Sequence, residues 1–156
     1  MSVLADNPVF AEWTGPHGAA PAFGKVETAH FIPALEAAIA EKQAEVVAIA
    51  NNPAPATFAN TLEALEASGP ALTRAGRLLG IYTSTMNTPQ MREVQTWASP
   101  KLAALRDEIT QNGKLFARIS QVYAARETSG LTVEQQRLAL VTYDRFVRQG
   151  AVRERF

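Results

Sequence analysis

Residues 51–69, NNPAPATFANTLEALEASG, decide the fold class of this chain because they define the start and the end of a helix. Pro53 and Pro55 favour an extended connector, since a proline disfavours the α conformation in the residue before it. The hydroxyl of Thr57 is then placed to cap a new helix. The predicted buried face of that helix consists of Phe58, Leu62 and Leu65.

The pair Gly69-Pro70 interrupts the same helix. Proline lacks an N–H donor and crowds the carbonyl four residues back, so a break or a kink is expected there. Leu72 and Leu79 nevertheless continue the apolar stripe in phase. We therefore expect a bend between two roughly collinear helical pieces.

The preceding segment predicts a first helix that begins after Thr28, as N-cap, and runs to about Ala50. Pro33 falls in its first turn, where proline is tolerated. Its apolar residues recur at helical spacing. They are Phe31, Leu35, Ala38, Ile39, Val46 and Ile49.

The following segment begins with Thr88-Pro89, a cap followed by a first-turn proline. Its stripe is Met91, Val94, Ala98, Leu102, Leu105 and Ile109. Ser99-Pro100 lies inside the stripe, so a kink or a restarted helix is expected there.

Two further helices are predicted beyond the break at Asn112-Gly113. The first has the apolar positions Leu115, Ile119, Val122 and Tyr123. The second begins with a capping box formed by Thr132 and Gln135. One side of it should carry Val133, Leu140, Tyr143 and Val147. No segment alternates as a strand does. The sequence predicts an all-α class, with about five antiparallel, partly kinked helices in a helical domain over residues 28–156.

Residues 1–27 are predicted to form an irregular arm, because they contain the helix breakers Pro8, Gly15, Pro16, Gly18, Pro21 and Gly24. Phe10, Trp13 and Phe23 lie between these breakers. Aromatic side chains at this density indicate that the arm packs on an apolar surface.

The composition excludes several classes of partner. The chain has 156 residues, 47% of them hydrophobic, and a formal net charge of zero. We therefore expect neither a nucleic acid nor a membrane as partner. Cysteine is absent, which removes disulfides and thiol chemistry. The start MSVLADNPVF has no basic region followed by a long apolar run, so no signal peptide is predicted and a cytoplasmic location is expected.

The sequence contains no recognisable catalytic centre. A zinc hydrolase usually carries His-Glu-x-x-His on a helix, but this chain has two histidines, His17 and His30, thirteen residues apart. His30 lies at a helix start and is interpreted as a packing or capping residue, and His17 as inert. Glu63 and Glu66 could share a helix face, but paired carboxylates on such a helix are typical of a solvated surface.

Other polar residues also favour structural interpretations. Ser68 and Ser99 fit breaks or caps, and the glycines at 15, 18 and 24 lack the strand and the Lys-Ser/Thr of a phosphate loop. Trp13 and Trp97 are interpreted as core or interface anchors. Arginines near the end complement a helix C-terminus. They are Arg145, Arg148, Arg153 and Arg155. No catalytic, cofactor-binding or metal-binding residue is predicted in this chain.

Taken in order, four segments resemble bacterial peptidyl-dipeptidases (dipeptidyl carboxypeptidases) of the thimet oligopeptidase family of zinc metallopeptidases. These are the arm NPVFAEWTGPHGAAPAFGKVETAHFIPALEAAI, the segment 51–69, SPKLAALRDEITQNGKLFARISQVY and LTVEQQRLALVTYDRFVRQGA. The resemblance extends collinearly from about Asn7 to Ala151. Family members are longer, almost wholly helical and shaped as two lobes around a deep channel.

The resemblance implies a role but no site residue. In the family, the zinc motif lies far downstream of the matched region, and the N-terminal helices narrow the channel that admits short peptides. This chain lacks the motif, and Pro70 replaces an expected polar residue. We therefore expect a non-catalytic N-terminal region of a zinc peptidyl-dipeptidase, with zinc only in the full-length parent and with the remainder of that peptidase as partner.

Two alternatives stay open. The chain could be a stand-alone helical module that binds a protein or a peptide without cutting it. Its broad apolar coverage, from Leu65 to Tyr82, could also be buried by homo-oligomerisation when the chain is alone.

Overall fold

The fold is all-α, as predicted, in the computed structural model, which describes residues 6–13, 20–21 and 23–150. Short 3-10 turns occupy Pro8–Phe10, Phe23–Lys25 and Thr28–His30. The helices are α1 (Phe31–Ala50), a π-helix (Phe58–Glu63) continued by α2 (Ala64–Ala67), α3 (Pro70–Thr85), α4 (Pro89–Thr110), α5 (Gly113–Ala125) and α6 (Val133–Arg148). These ranges contain no β-strand. None of their helices is long and apolar enough to cross a bilayer.

Three predicted helix starts are confirmed by hydrogen bonds to the capping hydroxyls. Thr57 Oγ1 accepts from Asn60 N at 3.1 Å, and Thr88 Oγ1 accepts from Met91 N at 3.2 Å. Thr132 Oγ1 accepts from Gln135 N at 3.3 Å, and Gln135 Oε1 accepts from Thr132 N at 2.9 Å, which completes the predicted capping box. These bonds satisfy donors that a helix start leaves free.

The first helix begins differently from the prediction. Glu27, not Thr28, is the N-cap residue, and it leads into the 3-10 turn Thr28–His30 before α1 starts at Phe31. The reason is local, because His30 Nδ1 accepts the N–H of Glu27 at 2.9 Å and thereby closes a turn one residue earlier.

The two proline positions behave in opposite ways. At Gly69-Pro70 the helix stops, since Ser68 is extended and Gly69 has left-handed backbone angles with φ of 75°. At Pro100, by contrast, α4 runs without a restart from Pro89 to Thr110. The left-handed residue Gly69 therefore ends α2. Pro100 removes only one N–H donor from α4, and the helix continues on both sides of it.

The apolar side predicted for the last helix is confirmed at Tyr143, which packs against the core, and wrong at Val133 and Leu140. Val133 is 78% exposed and Leu140 is 39% exposed. The buried residues of α6 are instead Ala139, Thr142 and Phe146. The aromatic ring of Phe146, which is 2% exposed, outweighs the smaller aliphatic side chains because it removes more apolar area from water.

The chain divides into two compact units. One consists of residues 1–42 and 69–104, and its core draws on the arm, α1, α3 and α4. Its fully buried side chains include Val9, Phe31, Leu35, Leu78 and Met91. The predicted stripe of α4 is confirmed here, since Met91, Val94 and Ala98 are each at most 3% exposed.

The arm is attached to this first unit by polar bonds as well as by packing. Asn7 caps the turn Pro8–Phe10 and donates from Nδ2 to the carbonyl of His30 at 2.9 Å. The hydroxyl of Tyr82 lies 2.9 Å from the carbonyl oxygen of Phe23 and 3.1 Å from that of Val26, and it donates to both. Phe10 packs against the core, as predicted for the arm, whereas Phe23 stays 44% exposed.

The other unit consists of residues 43–68 and 105–156. The predicted apolar positions Leu115, Ile119 and Val122 of α5 are buried in its core. A row of stacked aromatic rings lies beside them. The ring centroids of Tyr123 and Tyr143 are 4.2 Å apart, and those of Phe116 and Tyr143 are 5.6 Å apart. This row links α5 to α6, because stacked rings add to the stabilisation from buried area.

Tyr82 should make stability depend on alkaline pH. Burial raises the pKa of Tyr82 above its ordinary value of 10.0. The Tyr82 phenol therefore ionises at a lower pH in the unfolded chain than in the folded one. The stabilisation is complete below pH 10 and is lost as the pH rises above 10. Chemical unfolding between pH 8 and pH 11 measures this loss. Tyr82→Phe should make the unfolding free energy less dependent on alkaline pH, and it should cost about 1 kcal/mol at neutral pH because a hydrogen bond is lost. An equal loss of stability with pH in both proteins would contradict the role of Tyr82 in this pH dependence.

A pair of glycine substitutions tests the break between α2 and α3. A Cβ at Gly69 would lie 2.6 Å from Lys42 Cδ, and φ there is left-handed, whereas a Cβ at Gly80 meets nothing within 4 Å. Gly69→Ala should lower the unfolding free energy by about 1–2 kcal/mol. Gly80→Ala should raise it by about 0.5–1 kcal/mol, since alanine favours a helix interior. Thermal unfolding compares both with the parent, and a stabilised Gly69→Ala would refute the strained break.

Candidate functional site

The carboxylates and hydroxyls considered from the sequence do not assemble into a catalytic group. Glu63 and Glu66 are both exposed. The hydroxyl of Ser68 donates to the carbonyl of Leu65, and that of Ser99 donates to Gln95 at 2.8 Å. Both serines are therefore helix-break or helix-surface residues, as their sequence context indicated.

His30 takes part in a local hydrogen bond at the start of the first helix. His30 Nδ1 already accepts the Glu27 N–H, which agrees with its interpretation as a capping residue. His17 lies outside the described residues, as do Gly15, Gly18, Arg153 and Arg155. Within the described ranges, no group of three or more His, Asp and Glu side chains could hold a metal ion.

Both tryptophans have cations over their rings. The guanidinium of Arg74 lies 5.1 Å from the ring of Trp13, and Lys101 Nζ lies 4.9 Å from that of Trp97. Such contacts stabilise surface aromatics, which agrees with their interpretation as anchors. Arg145 and Arg148 occupy the last turn of α6, where cations complement the helix dipole.

The most distinctive local feature is the π-helix Phe58–Glu63, which occupies the middle of the segment 51–69. The sequence predicted a helix here, but not its wide turn. Helices of this kind are rare and frequently occur at functional sites. Its start is fixed by a reciprocal cap, since Asn60 Oδ1 accepts from Thr57 N at 2.8 Å while Thr57 Oγ1 accepts from Asn60 N.

A cleft of about 340 Å³ opens along this π-helix. One wall is residues 56–59 and Glu63, and the other wall comes from the end of α5, the following loop and the first turn of α6. The residues of the second wall are Val122, Ala125, Ser129, Leu131 and Gln135. The volume of the cleft lies at the lower end of the range typical of small-ligand sites.

Arg118 binds the connector 51–57, which leads into the π-helix beside this cleft. It lies on the buried stripe of α5 and is 8% exposed. Its Nη1 donates to the carbonyls of Asn52 and Ala54, both at 2.9 Å, and its Nη2 donates to Asn60 Oδ1 at 2.8 Å. We call this set of bonds the Arg118 clamp. It ties α5 to the first half of the connector 51–57 and to the π-helix that follows it.

The Arg118 clamp contains no carboxylate. Among the described residues no acidic side chain forms an ion pair with Arg118, and its buried Nε has no hydrogen-bond partner. Neutral acceptors therefore offset the cost of burying the charge, and losing them would leave it uncompensated. Sequence reasoning missed this residue, although its signal was present: Arg118 follows Leu115 by three positions and precedes Val122 by four.

The described part of the chain is all-α, and its helix starts at Thr57 and Thr132 are capped. Comparison with known proteins is more specific. The chain is 38% identical over 145 residues to the dipeptidyl carboxypeptidase of Escherichia coli K12, a match that covers 93% of this chain and 21% of the relative. It is 35% identical over 148 residues to the protein of the same name from Salmonella typhimurium LT2, covering 95% of this chain and 22% of the relative.

These matches confirm the resemblance to dipeptidyl carboxypeptidases, and the chain is similar to one segment of such proteins. It spans about a fifth of the length of these curated relatives. No family model matches the chain.

Replacing Arg118 should weaken the unit around it. Arg118→Met would leave the carbonyls of Asn52 and Ala54 without their donor, and we expect a loss of about 2–4 kcal/mol. Arg118→Lys should also destabilise, because one ammonium group does not reproduce the planar fork of a guanidinium. Urea unfolding measures both, and faster hydrogen exchange of the Ala54 and Asn60 amides would locate the effect at the connector.

The matched control is Arg137→Met, at an exposed position of α6. It should change the unfolding free energy by less than about 0.5 kcal/mol. Equal losses at positions 118 and 137 would show that the hydrogen bonds of the Arg118 clamp contribute nothing specific.

Proposed function

We propose that this chain forms a non-catalytic helical region of a zinc peptidyl-dipeptidase. In that role it shapes the channel that admits short peptides to the metal site of the full-length enzyme, which would release dipeptides from peptide C-termini. The observation that carries the proposal is the match of 93% of the chain, at 38% identity, to a dipeptidyl carboxypeptidase.

The internal bonding of the chain supports a scaffolding role. The wall of a channel has to keep its shape, and here the irregular segments are fixed by polar bonds that are at least partly buried. The Arg118 clamp fixes the connector 51–57, and the Tyr82 hydroxyl fixes the arm at Phe23 and Val26. Hydrogen-bond networks that are shielded from water rigidify the surrounding structure.

The catalytic zinc of this proposal comes from another part of the parent enzyme. The sequence has two histidines and no His-Glu-x-x-His motif. The contribution of this chain is therefore steric: it restricts which peptides reach the metal. A cytoplasmic location is part of the same proposal.

The remainder of the peptidase is the partner that we propose, and α6 offers a surface for it. Val133, Leu140 and Val141 of α6 are 78%, 39% and 47% exposed. Apolar residues grouped on one helix face mark interaction surfaces more often than residues scattered singly. A second copy of the chain is the competing occupant, and a concentration-dependent mass in solution would favour it.

A stand-alone peptide-binding module is the second candidate, because the cleft beside the π-helix is a concave, partly apolar site within this chain. Calorimetric titration with short peptides separates the two. A lone channel wall should bind them weakly or not at all, whereas a binding module should saturate.

A chimera tests the first proposal directly. The segment of the Escherichia coli dipeptidyl carboxypeptidase that matches this chain is replaced by the chain itself. We expect the chimera to release C-terminal dipeptides from short peptides in a chelator-sensitive manner, with an altered limit on peptide length, because the channel wall has changed. Mass spectrometry of the products measures both effects.

The isolated chain is the control and should show no chelator-sensitive turnover. Turnover by the isolated chain would overturn the non-catalytic role. A chimera that is folded by circular dichroism and yet inactive would overturn the proposal that this segment serves as part of the enzyme.

A further inference from the structure

The cleft beside the π-helix combines an apolar body with one ionisable group. Phe58, Val122 and Leu131 supply its larger apolar side chains, and the alanines at 56, 59 and 125 leave room between them. Among the described residues that line it, Glu63 alone has an ionisable side chain. The cleft therefore has one charged side chain in an otherwise uncharged and mainly apolar lining.

The carboxylate of Glu63 is available to a ligand. It is exposed, and no cationic side chain of the described ranges lies within ion-pair distance of it. Glu63 is the last residue of the π-helix, so the wide turn fixes where its side chain emerges relative to Phe58.

We propose that this cleft is a binding site for an organic cation with an apolar body, that is, an alkyl or aryl amine or guanidine. The ammonium group pairs with the carboxylate of Glu63, and the carbon chain or ring lies against Phe58, Val122 and Leu131. This site is independent of the proposed peptidase role, because it is formed entirely within residues 56–135 of this chain.

The helix ends around the cleft must be weighed, since two of them favour anions. The π-helix and α6 both begin there, at Thr57 and Thr132, and each N-terminus carries roughly half a positive charge. Together they about offset Glu63. The end of α5 adds little negative charge, because Arg126 Nη1 donates to the carbonyl of Tyr123 and the amides of Thr128 and Ser129 donate to that of Ala125. The preference for a cation therefore depends on how far the two helix starts are already capped.

The caps at these two helix starts favour a cation over an anion. An anion at a helix start binds through free backbone N–H groups. Here the hydroxyls of Thr57 and Thr132 already accept from the amides of Asn60 and Gln135, so fewer donors remain for an anion. A cation needs only the carboxylate, which has no competing partner in the described structure.

The test compares three probes of nearly equal size on the full chain: phenethylamine, phenethyl alcohol and 3-phenylpropionate. Amide NMR titrations should place the amine's shifts at residues 56–63 and 125–135, with the amine binding more tightly than the alcohol and the alcohol more tightly than the carboxylate. A blocked peptide with an internal lysine, run in parallel, distinguishes a free amine from a basic side chain as the source of the cation.

Variants separate charge from shape. Glu63→Gln should weaken amine binding about three- to fivefold, the range of an exposed ion pair, and leave the alcohol unchanged. Glu66→Gln is the matched control, one turn away and outside the cleft lining, and should change neither. Ala125→Leu, which fills the cleft, should weaken binding of both probes.

Three results would overturn the proposal: no shifts at the cleft at millimolar probe, tighter binding of 3-phenylpropionate than of the amine, or equal effects of Glu63→Gln and Glu66→Gln. The second result would assign the cleft to anions through its helix ends. Loss of the chimera's peptidase activity would leave these NMR results unaffected, so the two proposals fail separately.

Discussion

The unit formed by residues 43–68 and 105–156 depends on one buried guanidinium. Arg118 sits where the apolar stripe of α5 would otherwise carry an aliphatic side chain, and it donates to two carbonyls and one amide oxygen of the segment 52–60. A connector that contains two prolines has few N–H donors of its own with which to form regular structure. Its carbonyls need an outside donor, and Arg118 supplies it. The position of the connector then fixes Thr57, the start of the π-helix, and with it the wall of the cleft.

In the unit formed by residues 1–42 and 69–104, the donor to the carbonyls of an irregular segment is a neutral hydroxyl group. Its irregular arm presents the carbonyls of Phe23 and Val26 to the hydroxyl of Tyr82, whose ring packs edge-on against Phe31 at 5.2 Å. In each unit a side chain from a regular helix reaches out to the backbone of an irregular segment. Helices thus hold the parts of the chain that have no repeating hydrogen bonds. This arrangement suits a scaffold whose loops and arm must keep a defined position, and it is the structural basis for the role proposed within a peptidyl-dipeptidase.

The cleft, the π-helix and the exposed face of α6 are the features that a purely architectural role does not explain. The face of α6 is apolar without a covering element in the described structure, and a relative about five times longer offers a chain that could cover it. The cleft differs in character, because one carboxylate belongs to its lining and two capped helix starts lie beside it. A surface for protein contact and a site for a small cation can therefore coexist within one unit, on different residues of the same helices.

The sequence by itself determined the all-α class, the caps at Thr57, Thr88 and Thr132, and the break at Gly69, because these depend on residues three or four positions apart. It also carried the resemblance to dipeptidyl carboxypeptidases, which the relatives confirm. Tertiary structure decided what local spacing leaves open. It turned α6 so that Phe146 rather than Leu140 is buried, and it widened residues 58–63 into a π-helix. It also buried Arg118, since whether an arginine within an apolar stripe is buried depends on acceptors some sixty residues away, and no short-range pattern records them.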